Sequence, residues 1–311
     1  MSDTVGSSPV STKDRAPGPG ADEPVYLGSA QGNWFRRSGW RHLVALVAIF
    51  FAVFPILFLI SAALNPLGTL AASTLIPTGA SFNNFTKLFN ETDYWRWLLN
   101  SIIIGVLATV SSIFVSACAA FAFSRFRFKG RRAGLLAVLM IQMFPVFLAL
   151  VSLYLMFATI TDLWPAIGFN TPWSLIILGL GGALGGTTWL IKGFLDTVPK
   201  DLDESATVDG ATHVQIFFGI IFPLITPIIA ITGLLAFIGS MSEFLISSIF
   251  LTEPSKKTVA VGLYGMVANE RNANFGMFAA GAIVTAIPIV LLFQYLQKYI
   301  VGGLTAGAVK G

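Results

Sequence analysis

Residues 198–223 read VPKDLDESATVDGATHVQIFFGIIFP, a short acidic stretch between two long apolar runs. Asp201 can cap a new helix, and the acids that follow, Asp203 and Glu204, favour the positive end of its macrodipole. The stretch therefore predicts a short helix with a negatively charged first turn. A polar helix of this kind must lie outside a bilayer. The apolar runs before and after it are therefore expected to be separate membrane segments.

The end of this short helix is marked by Asp209-Gly210, which is a stop-and-turn signal. A second helix can begin near Ala211 and lead through Pro223 into the next apolar run. Ala206 has a small side chain, which leaves room for another chain to approach closely. From the residues alone two interpretations stay open: a solvated acidic loop, and a docking segment for a partner.

The apolar runs around this stretch set the fold class. Hydrophobic residues make up 55% of the 311 residues and charged residues 11%, whereas a soluble domain carries about 25% charge. A hydrocarbon core about 30 Å thick needs about 20 apolar residues in a helix. We therefore expect an all-α integral membrane protein with six transmembrane helices. The six runs are 42–63, 98–124, 133–158, 173–193, 220–250 and 276–299.

The second run has a small residue at every fourth position, at Ala108, Ser112, Ser116 and Ala120. Residues at this spacing share one helix face. The pattern predicts a face on which other helices pack closely.

Lysine and arginine predict the orientation of the spans, because positively charged loops stay in the cytoplasm. With a cytoplasmic N-terminus, fourteen basic residues are inside and five outside, so both termini and the acidic stretch are expected in the cytoplasm. The inside residues are Lys13, Arg15, Arg36, Arg37, Arg41, Arg125, Arg127, Lys129, Arg131, Arg132, Lys192, Lys200, Lys298 and Lys310. The outside residues are Lys87, Arg96, Lys256, Lys257 and Arg271.

Three regions follow from this pattern. Residues 1–33 are rich in Ser, Pro, Gly and Asp, and they are expected to form a disordered cytoplasmic tail. Residues 34–300 form the six-span domain. Residues 301–311 are expected to be a flexible cytoplasmic tail, because they contain four glycines beyond Val301 and little apolar bulk.

Several function classes are excluded by composition. Cys118 is the only cysteine, and His42 and His213 are far apart, so no metal site is expected. The basic residues lie in short clusters beside apolar runs and form no stripe that could bind nucleic acid. No Gly-Lys dipeptide occurs, so a P-loop is absent from the sequence and the chain cannot cradle ATP in that way.

The acidic stretch resembles the EAA signature of ABC importer permeases, which have the MetI-like architecture. The resemblance lies in Glu204-Ser205-Ala206, Asp209-Gly210-Ala211, Ile220 and Phe222-Pro223, with nine residues between Gly210 and Ile220. Ser205 stands where the signature has Ala. The resemblance implies a coupling helix that docks on a cytoplasmic ATPase. The implied coupling residues are Glu204, Ser205, Ala206, Asp209, Gly210, Ala211 and Pro223.

Other segments resemble the MalG-type permeases of maltose importers, over roughly residues 38–311. They are Trp97 to Ser101, Gln142 to Pro145, Gly168 to Thr171, Ile191 to Phe194, Val259 to Gly262 and the run from Gly303 to Gly311. The resemblance implies uptake of an oligosaccharide, with maltose or maltodextrin and trehalose as candidates. It also implies four partners besides the lipid: a companion permease, an ATPase dimer that holds ATP and Mg, an extracytoplasmic sugar-binding protein and the sugar. No cofactor is expected on this chain.

The resemblance also assigns two smaller regions. The tail is implied to insert at the ATPase interface, through Thr305, Gly307 and Lys310. The loop between the fifth and sixth spans is implied to reach the binding protein, through Lys256, Lys257, Asn269 and Arg271. An ordinary polar loop is the alternative for the latter.

Glu243 is the one acid deep in a predicted span or near its end. A carboxylate in the membrane is costly, so it faces a translocation path or the companion permease, or it snorkels to the interface. A stand-alone secondary transporter would need further carboxylates at the midplane. An intramembrane enzyme would need a catalytic dyad or metal set within the spans, and none is evident.

Overall fold

The computed structural model describes residues 39–70, 73–76, 79–268 and 274–308, apart from the side chains of residues 183 and 301–308. Helices dominate these residues, and none of the residues described forms a strand. The helices are α1 Trp40–Leu64, α2 Asn83–Glu91, α3 Tyr94–Arg125, α4 Arg131–Gln142, α5 Val146–Leu163, α6 Pro172–Ala183, α7 Gly186–Leu195, α8 Asp201–Val208, α9 His213–Ile216, α10 Phe222–Leu224, α11 Thr226–Ser242, α12 Leu245–Phe250, α13 Val259–Val267 and α14 Phe275–Ala308.

The chain divides into two compact units, Met1–Val53 and Phe54–Gly311. In the first unit the structure describes residues 39–53, which form the first part of α1. The predicted tail over 1–33 lies outside the described residues.

Among the described residues, four helices are each long and apolar enough to cross a membrane: α1, α3, α5 and the part of α14 from Phe275 to Ile300. Two further spans arise if each of two bent helix pairs is one span. The first pair is α6 with α7, bent by 51°, and the second joins residues 213–224 to α11 with a bend of 76°. Within the described residues the structure therefore has four single-helix spans, and six if each bent pair crosses the membrane once.

Three of the predicted runs are not continuous helices. The run 173–193 is interrupted between Ala183 and Gly186. The run 133–158 is broken at residues 143–145, because Pro145 lacks an N–H and disfavours a helical conformation at the preceding residue. The run 220–250 bends at Ile225 and breaks again at Glu243 and Phe244. Hydrophobicity alone gives no signal for such breaks.

Helix α3 is the central helix of the second unit and packs against α6, α7 and α11. Ala108, Ser116 and Ala120 are buried in it, as the small-residue pattern predicted. Three apolar clusters lie along it, one of them formed by Ile104 and Ala108 with Ile176 and Leu251. The other two are larger. The first centres on Tyr94 and Leu98 with residues of α13 and α14. The second centres on Ala117 and Phe121, with residues of α7 and of the segment after α8.

Candidate functional site

Helix α8 is the short acidic helix that the sequence predicted, and it carries Asp201, Asp203 and Glu204 in its first turn. Asp201 is the first residue of the helix, whereas it would precede the first residue if it were the N-cap. Lys200 is the N-cap residue, and its carbonyl accepts the amides of Asp203 and Glu204 at 2.9 and 3.0 Å. The expectation that the Asp201 side chain caps the helix was wrong. The acids act on the helix end through their charge.

The other end of α8 closes in a Schellman turn. The amide of Ala211 donates to the carbonyl of Ala206 at 2.9 Å, and that of Gly210 donates to Thr207 at 3.0 Å. Gly210 has φ +86°, a left-handed conformation that glycine adopts without steric cost. The stop signal at Asp209-Gly210 is confirmed.

The next helix, α9, begins at His213 and not at Ala211. Thr212 and Gln215 form a capping box: the Thr212 amide donates to Oε1 of Gln215 at 2.8 Å, and Oγ1 of Thr212 accepts the Gln215 amide at 3.4 Å. Turn and cap together fix the angle at which the chain leaves α8. Pro223 lies further on, in α10, just before the 76° bend.

The inner side of α8 is held by the last residue of α3. Nε of Arg125 lies 2.5 Å from Oδ2 of Asp203, and the two side chains are only 6% and 16% exposed. A second guanidinium nitrogen of Arg125 donates to the carbonyl of Val198 at 3.0 Å. Burial raises the pKa of Asp203 above its ordinary value, although the Arg125 charge acts in the opposite direction.

The neighbouring residue of α3 holds the end of α7. Oγ of Ser124 donates to Oδ1 of Asp196 at 2.6 Å, and Nζ of Lys192 donates to Oδ2 of the same carboxylate at 2.6 Å. Burial acts to raise the pKa of Asp196, but the hydrogen bonds and the charges of Lys192 and Arg131 outweigh it and lower this pKa. The C-terminal end of α3 thus binds α8 and the segment that precedes it.

The outer side of α8 is open. Glu204 is exposed and forms no ion pair with any residue that the structure describes. Leu202 and Val208 are also exposed, by 43% and 87%. A cavity of about 140 Å³ opens beside Glu204, between α8 and the end of α3. Glu204, with Val208 one turn further on, and the recess that Arg125 and Asp203 also line form a surface suited to another protein.

The remaining residues of the predicted coupling set divide into two groups. Ser205, Asp209 and Gly210 are exposed. Ala206 and Ala211 are partly buried and pack against the cluster around Phe121 and Ile216. The small side chain of Ala206 therefore lets α8 sit close to its own chain, and a role of these alanines toward a partner stays a prediction.

The opposite end of α3 holds a different segment, residues 254–259. Nε1 of Trp97 donates to the carbonyl of Pro254 at 2.7 Å. Nδ2 of Asn100 donates to the carbonyls of Ser255 and Lys257 at 3.0 and 3.1 Å. Oγ of Ser101 accepts the amide of Val259 at 2.8 Å. The Trp97–Ser101 motif that carried part of the family resemblance is thus an anchor.

Asn170 holds the residues that lead into this segment. Its side-chain Oδ1 accepts the backbone amides of Thr252 and Glu253 at 2.8 and 2.9 Å. Its backbone N–H donates to the Phe250 carbonyl at 2.9 Å. Asn170 has φ +57°, a conformation that asparagine tolerates better than most residues. Lys256 is exposed on the anchored segment and Lys257 is half-buried. Asn269 and Arg271 lie outside the described residues.

Glu243 lies in the break between α11 and α12 and caps α12. Its Oε1 accepts the amide of Ile246 at 2.8 Å, and its Oε2 accepts the amide and hydroxyl of Ser247 at 2.7 and 2.6 Å. The carboxylate is therefore satisfied within its own chain by a helix N-terminus. Its predicted place on a translocation path stays a prediction.

The predicted tail residues are only partly described. The backbone of α14 is helical through Ala308, so it continues past residue 300, where the six-span domain was expected to end. Thr305 and Gly307 lie in this helix, and Lys310 lies outside the described residues. Within the described ranges, no group of three or more His, Cys, Asp or Glu side chains could hold a metal ion.

The sequence did not predict the two sets of contacts at the ends of α3, which we call clamps. One clamp is formed by Ser124 and Arg125 with Asp196, Val198 and Asp203. The other is formed by Trp97, Asn100 and Ser101 with residues 254–259. Arg125 counted only as a topology signal, and Asp196 and Asn170 had no assigned role. The partners are distant in sequence, with 72 positions between Ser124 and Asp196 and 82 between Asn170 and Thr252. The one available signal was the family resemblance of the motifs around Trp97 and Asn170.

Fold and site together define a class of membrane protein: permease subunits of ABC importers. The chain matches the family described as "Binding-protein-dependent transport system inner membrane component" over residues 101–305, and it belongs to that family. It is an integral inner-membrane transport component and not an enzyme. This membership also leaves no support for a stand-alone secondary transporter.

Relatives with assigned transport roles cover most of the chain. It is 39% identical to the galactooligosaccharides transport system permease protein GanQ of Bacillus subtilis, over 86% of this chain and 94% of GanQ. It is 42% identical to the maltodextrin transport system permease protein MalD of Streptococcus pneumoniae, over 74% and 80%. It is 35% identical to the maltose/maltodextrin permease protein MalG of Escherichia coli, over 87% and 95%.

A solved structure has the same fold. A chain of a bacterial ABC transporter that imports the acidic polysaccharide alginate superposes with a TM-score of 0.69, over 89% of this chain and 99% of that one. The identity is 20%, so the likeness concerns the fold alone. A second structure shows an alginate transporter in complex with an alginate-bound periplasmic protein, and it superposes with a TM-score of 0.62.

Proposed function

We propose that this chain is one permease subunit of a heteromeric, ATP-driven oligosaccharide importer, and that α8 is its coupling helix. The observation that carries the proposal is the different environment of two adjacent acids, Asp203 and Glu204. Asp203 is turned inward and paired with Arg125, whereas Glu204 is exposed beside a recess. An unpaired acid on a rigidly held helix is suited to a basic group on a partner ATPase.

The proposed orientation places α8 and both termini in the cytoplasm, as the distribution of Lys and Arg predicts. The anchored segment 254–259 then lies on the other side of the membrane, where a sugar-binding protein would dock near Lys256 and Lys257. Both termini and Arg271 lie outside the described residues, so this topology rests on the sequence.

The proposed mechanism is alternating access. Closure of an ATPase dimer that holds ATP and Mg would move α8, and the helices joined to it would expose a central path first to one side and then to the other. Like charges across the docking surface would oppose this contact. Breaking a charge pair at an interface costs about 2–5 kcal/mol when one partner is left buried.

For the substrate we propose an oligosaccharide of the maltodextrin type, with trehalose as the alternative that the sequence leaves open. Relatives named for maltodextrin and for maltose support this choice. GanQ is named for galactooligosaccharides and is similarly close, so the sugar needs a direct test.

The docking proposal is tested by reversing one charge. The variant Glu204→Lys should abolish sugar uptake and the sugar-dependent stimulation of ATP hydrolysis in the reconstituted complex, while the membrane level of the chain stays normal. Glu91→Lys is the matched control, because Glu91 is also exposed but lies at the end of α2. Normal uptake by Glu204→Lys would refute the role of α8.

The assembly and the sugar are tested separately. The tagged chain should co-purify with an ATPase and a second permease. Uptake of labelled maltotriose, trehalose and a galactooligosaccharide is then compared in a strain that lacks this chain and in the complemented strain. Restoration of maltotriose uptake alone supports the maltodextrin assignment, and restoration of another sugar alone replaces it.

A further inference from the structure

Helix α3 connects the two clamps described above, and no other described helix does so. It has 32 residues, from Tyr94 to Arg125. At 1.5 Å per residue it is about 48 Å long, which exceeds the hydrocarbon thickness of a bilayer. One end binds α8 and the segment before it, and the other end binds residues 254–259.

The helix is also built to be stiff. It contains no proline, whereas α1 contains Pro55 and α14 contains Pro288. The bent pairs α6 with α7 and residues 213–224 with α11 are interrupted. Small buried residues such as Ala108, Ser116 and Ala120 let neighbouring helices pack closely along the length of α3. A displacement at one end is therefore carried to the other.

The clamp at the α8 end is specific in geometry. Arg125 makes two contacts at once, with the Asp203 carboxylate in α8 and with the Val198 carbonyl in the turn before it. A planar guanidinium can do this, whereas the single ammonium of lysine is not shaped for both. Ser124 adds a third contact, to Asp196.

Stability alone is a weak reason for such a pair. Replacing a buried ion pair by apolar side chains is often neutral or stabilising, because both charges lose their hydration. The arrangement of Arg125 and Asp203 is better explained by what it holds together. The pair fixes the orientation of α8 relative to α3 more strictly than apolar contacts would.

We propose that Arg125 and Asp203 are positioning residues that lock α8 to α3, so that α3 transmits the movement of the docked α8 across the membrane to residues 254–259. This inference rests on the proposed function of α8. It differs from that proposal because it concerns contacts within this chain and not the contact with the ATPase.

The first test uses the complete reconstituted importer in lipid nanodiscs or vesicles. Arg125→Ala should leave co-purification with the ATPase and basal ATP hydrolysis intact. It should lower the sugar transported per ATP hydrolysed, and the stimulation by binding protein and sugar, by about tenfold, within the usual range of coupling between sites. The exchange Arg125→Asp with Asp203→Arg should restore both. Arg127→Ala is the matched control, because Arg127 is exposed two positions further on.

The second test follows residues 254–259 directly. Cys118 is the only cysteine, so Cys118→Ser gives a background in which a spin label is attached at Lys256→Cys. ATP should change the mobility of this label in the background protein and in the charge-exchanged protein. It should not change the mobility in Arg125→Ala. A purely structural role of the pair would instead lower assembly, basal hydrolysis and transport in the same proportion.

The outcomes separate the two proposals. If Arg125→Ala keeps normal sugar transport per ATP and the ATP-dependent change at position 256, the transmission by Arg125 is refuted while the docking role of Glu204 stands. If the unaltered complex shows no ATP-driven uptake, the proposed function itself fails. Should Arg125→Ala assemble poorly, Arg125→Gln replaces it, since it removes the charge that pairs with Asp203, and the same results decide.

Discussion

Trp97 and Gly262 are in direct contact: a Cβ atom at position 262 would lie 2.0 Å from Cε3 of the Trp97 ring. The same indole donates its Nε1–H to the carbonyl of Pro254 at 2.7 Å. Glycine at 262 thus allows the ring to reach the segment that it anchors. The contact joins α3 and α13, and it involves one residue of each of the motifs Trp97–Ser101 and Val259–Gly262.

The first prediction follows from this contact. Gly262→Ala should displace Trp97 and lower the free energy of unfolding by about 1–3 kcal/mol, the usual cost of overpacking. Gly265→Ala is the control in the same helix, because no atom lies within 4 Å of a Cβ there. Thermal unfolding of the purified variants in detergent measures the difference. Equal melting temperatures for the two variants would contradict the prediction.

The second prediction concerns Asn170. Asn170→Ala removes the acceptor for the amides of Thr252 and Glu253 and puts alanine in a left-handed conformation. We expect a loss of about 0.5–1.5 kcal/mol, the usual net contribution of a hydrogen bond, because both bonds lie at the surface. Asn170→Asp keeps an acceptor oxygen and should behave nearly as the unaltered protein. Hydrogen exchange of peptides spanning residues 250–257 reports the result, and unchanged protection in Asn170→Ala would count against the anchor.

The third prediction separates two roles for Glu243. If capping of α12 is its role, Glu243→Gln should transport sugar nearly normally, because an amide oxygen still accepts a hydrogen bond. Glu243→Ala should be less stable by about 1–3 kcal/mol. The measurements are uptake and membrane abundance. A Glu243→Gln variant that is abundant but inactive would show that the negative charge itself is needed, as on a translocation path.

The fourth prediction is a pH dependence at Asp196. Its pKa is lowered in the folded protein, so its contribution to stability is present above its unfolded pKa and is lost as pH falls through the folded pKa. Asp196→Asn should therefore lower the melting temperature at neutral pH. The difference from the unaltered protein should shrink as pH falls below about 4. A difference that stays constant down to pH of about 3 would show that the carboxylate charge contributes nothing.

The sequence was sufficient for the features that depend on local signals. The first turn of α8, its end at Gly210 and the span α1 each follow from neighbouring residues. The α1 run was expected at 42–63 and the helix is Trp40–Leu64. Membrane spans are readable in this way because lipid demands long apolar segments whose backbone is satisfied internally.

The features that escaped the sequence depend on contacts between distant residues. Nothing beside Arg125 shows that its partner is Asp203 and not lipid phosphate or solvent. Glu243 looked like an isolated charge because the break that gives it a helix to cap is itself not encoded by hydrophobicity. The break at residues 143–145 had a local cause in Pro145, but Pro55 and Pro288 lie within unbroken helices, so proline alone does not mark a break.

Asp203 and Glu204 are consecutive, and successive residues of an α-helix point about 100° apart. The Asp203 side chain therefore faces the interior of its own chain, and the Glu204 side chain faces outward. Removing one residue between Lys200 and Asp203 would turn Glu204 to the inward position, and adding one would turn Asp203 to the outward position that Glu204 now has. Chimeric importers assembled from different subunits must accordingly preserve the rotational phase of this helix, and not only its charge.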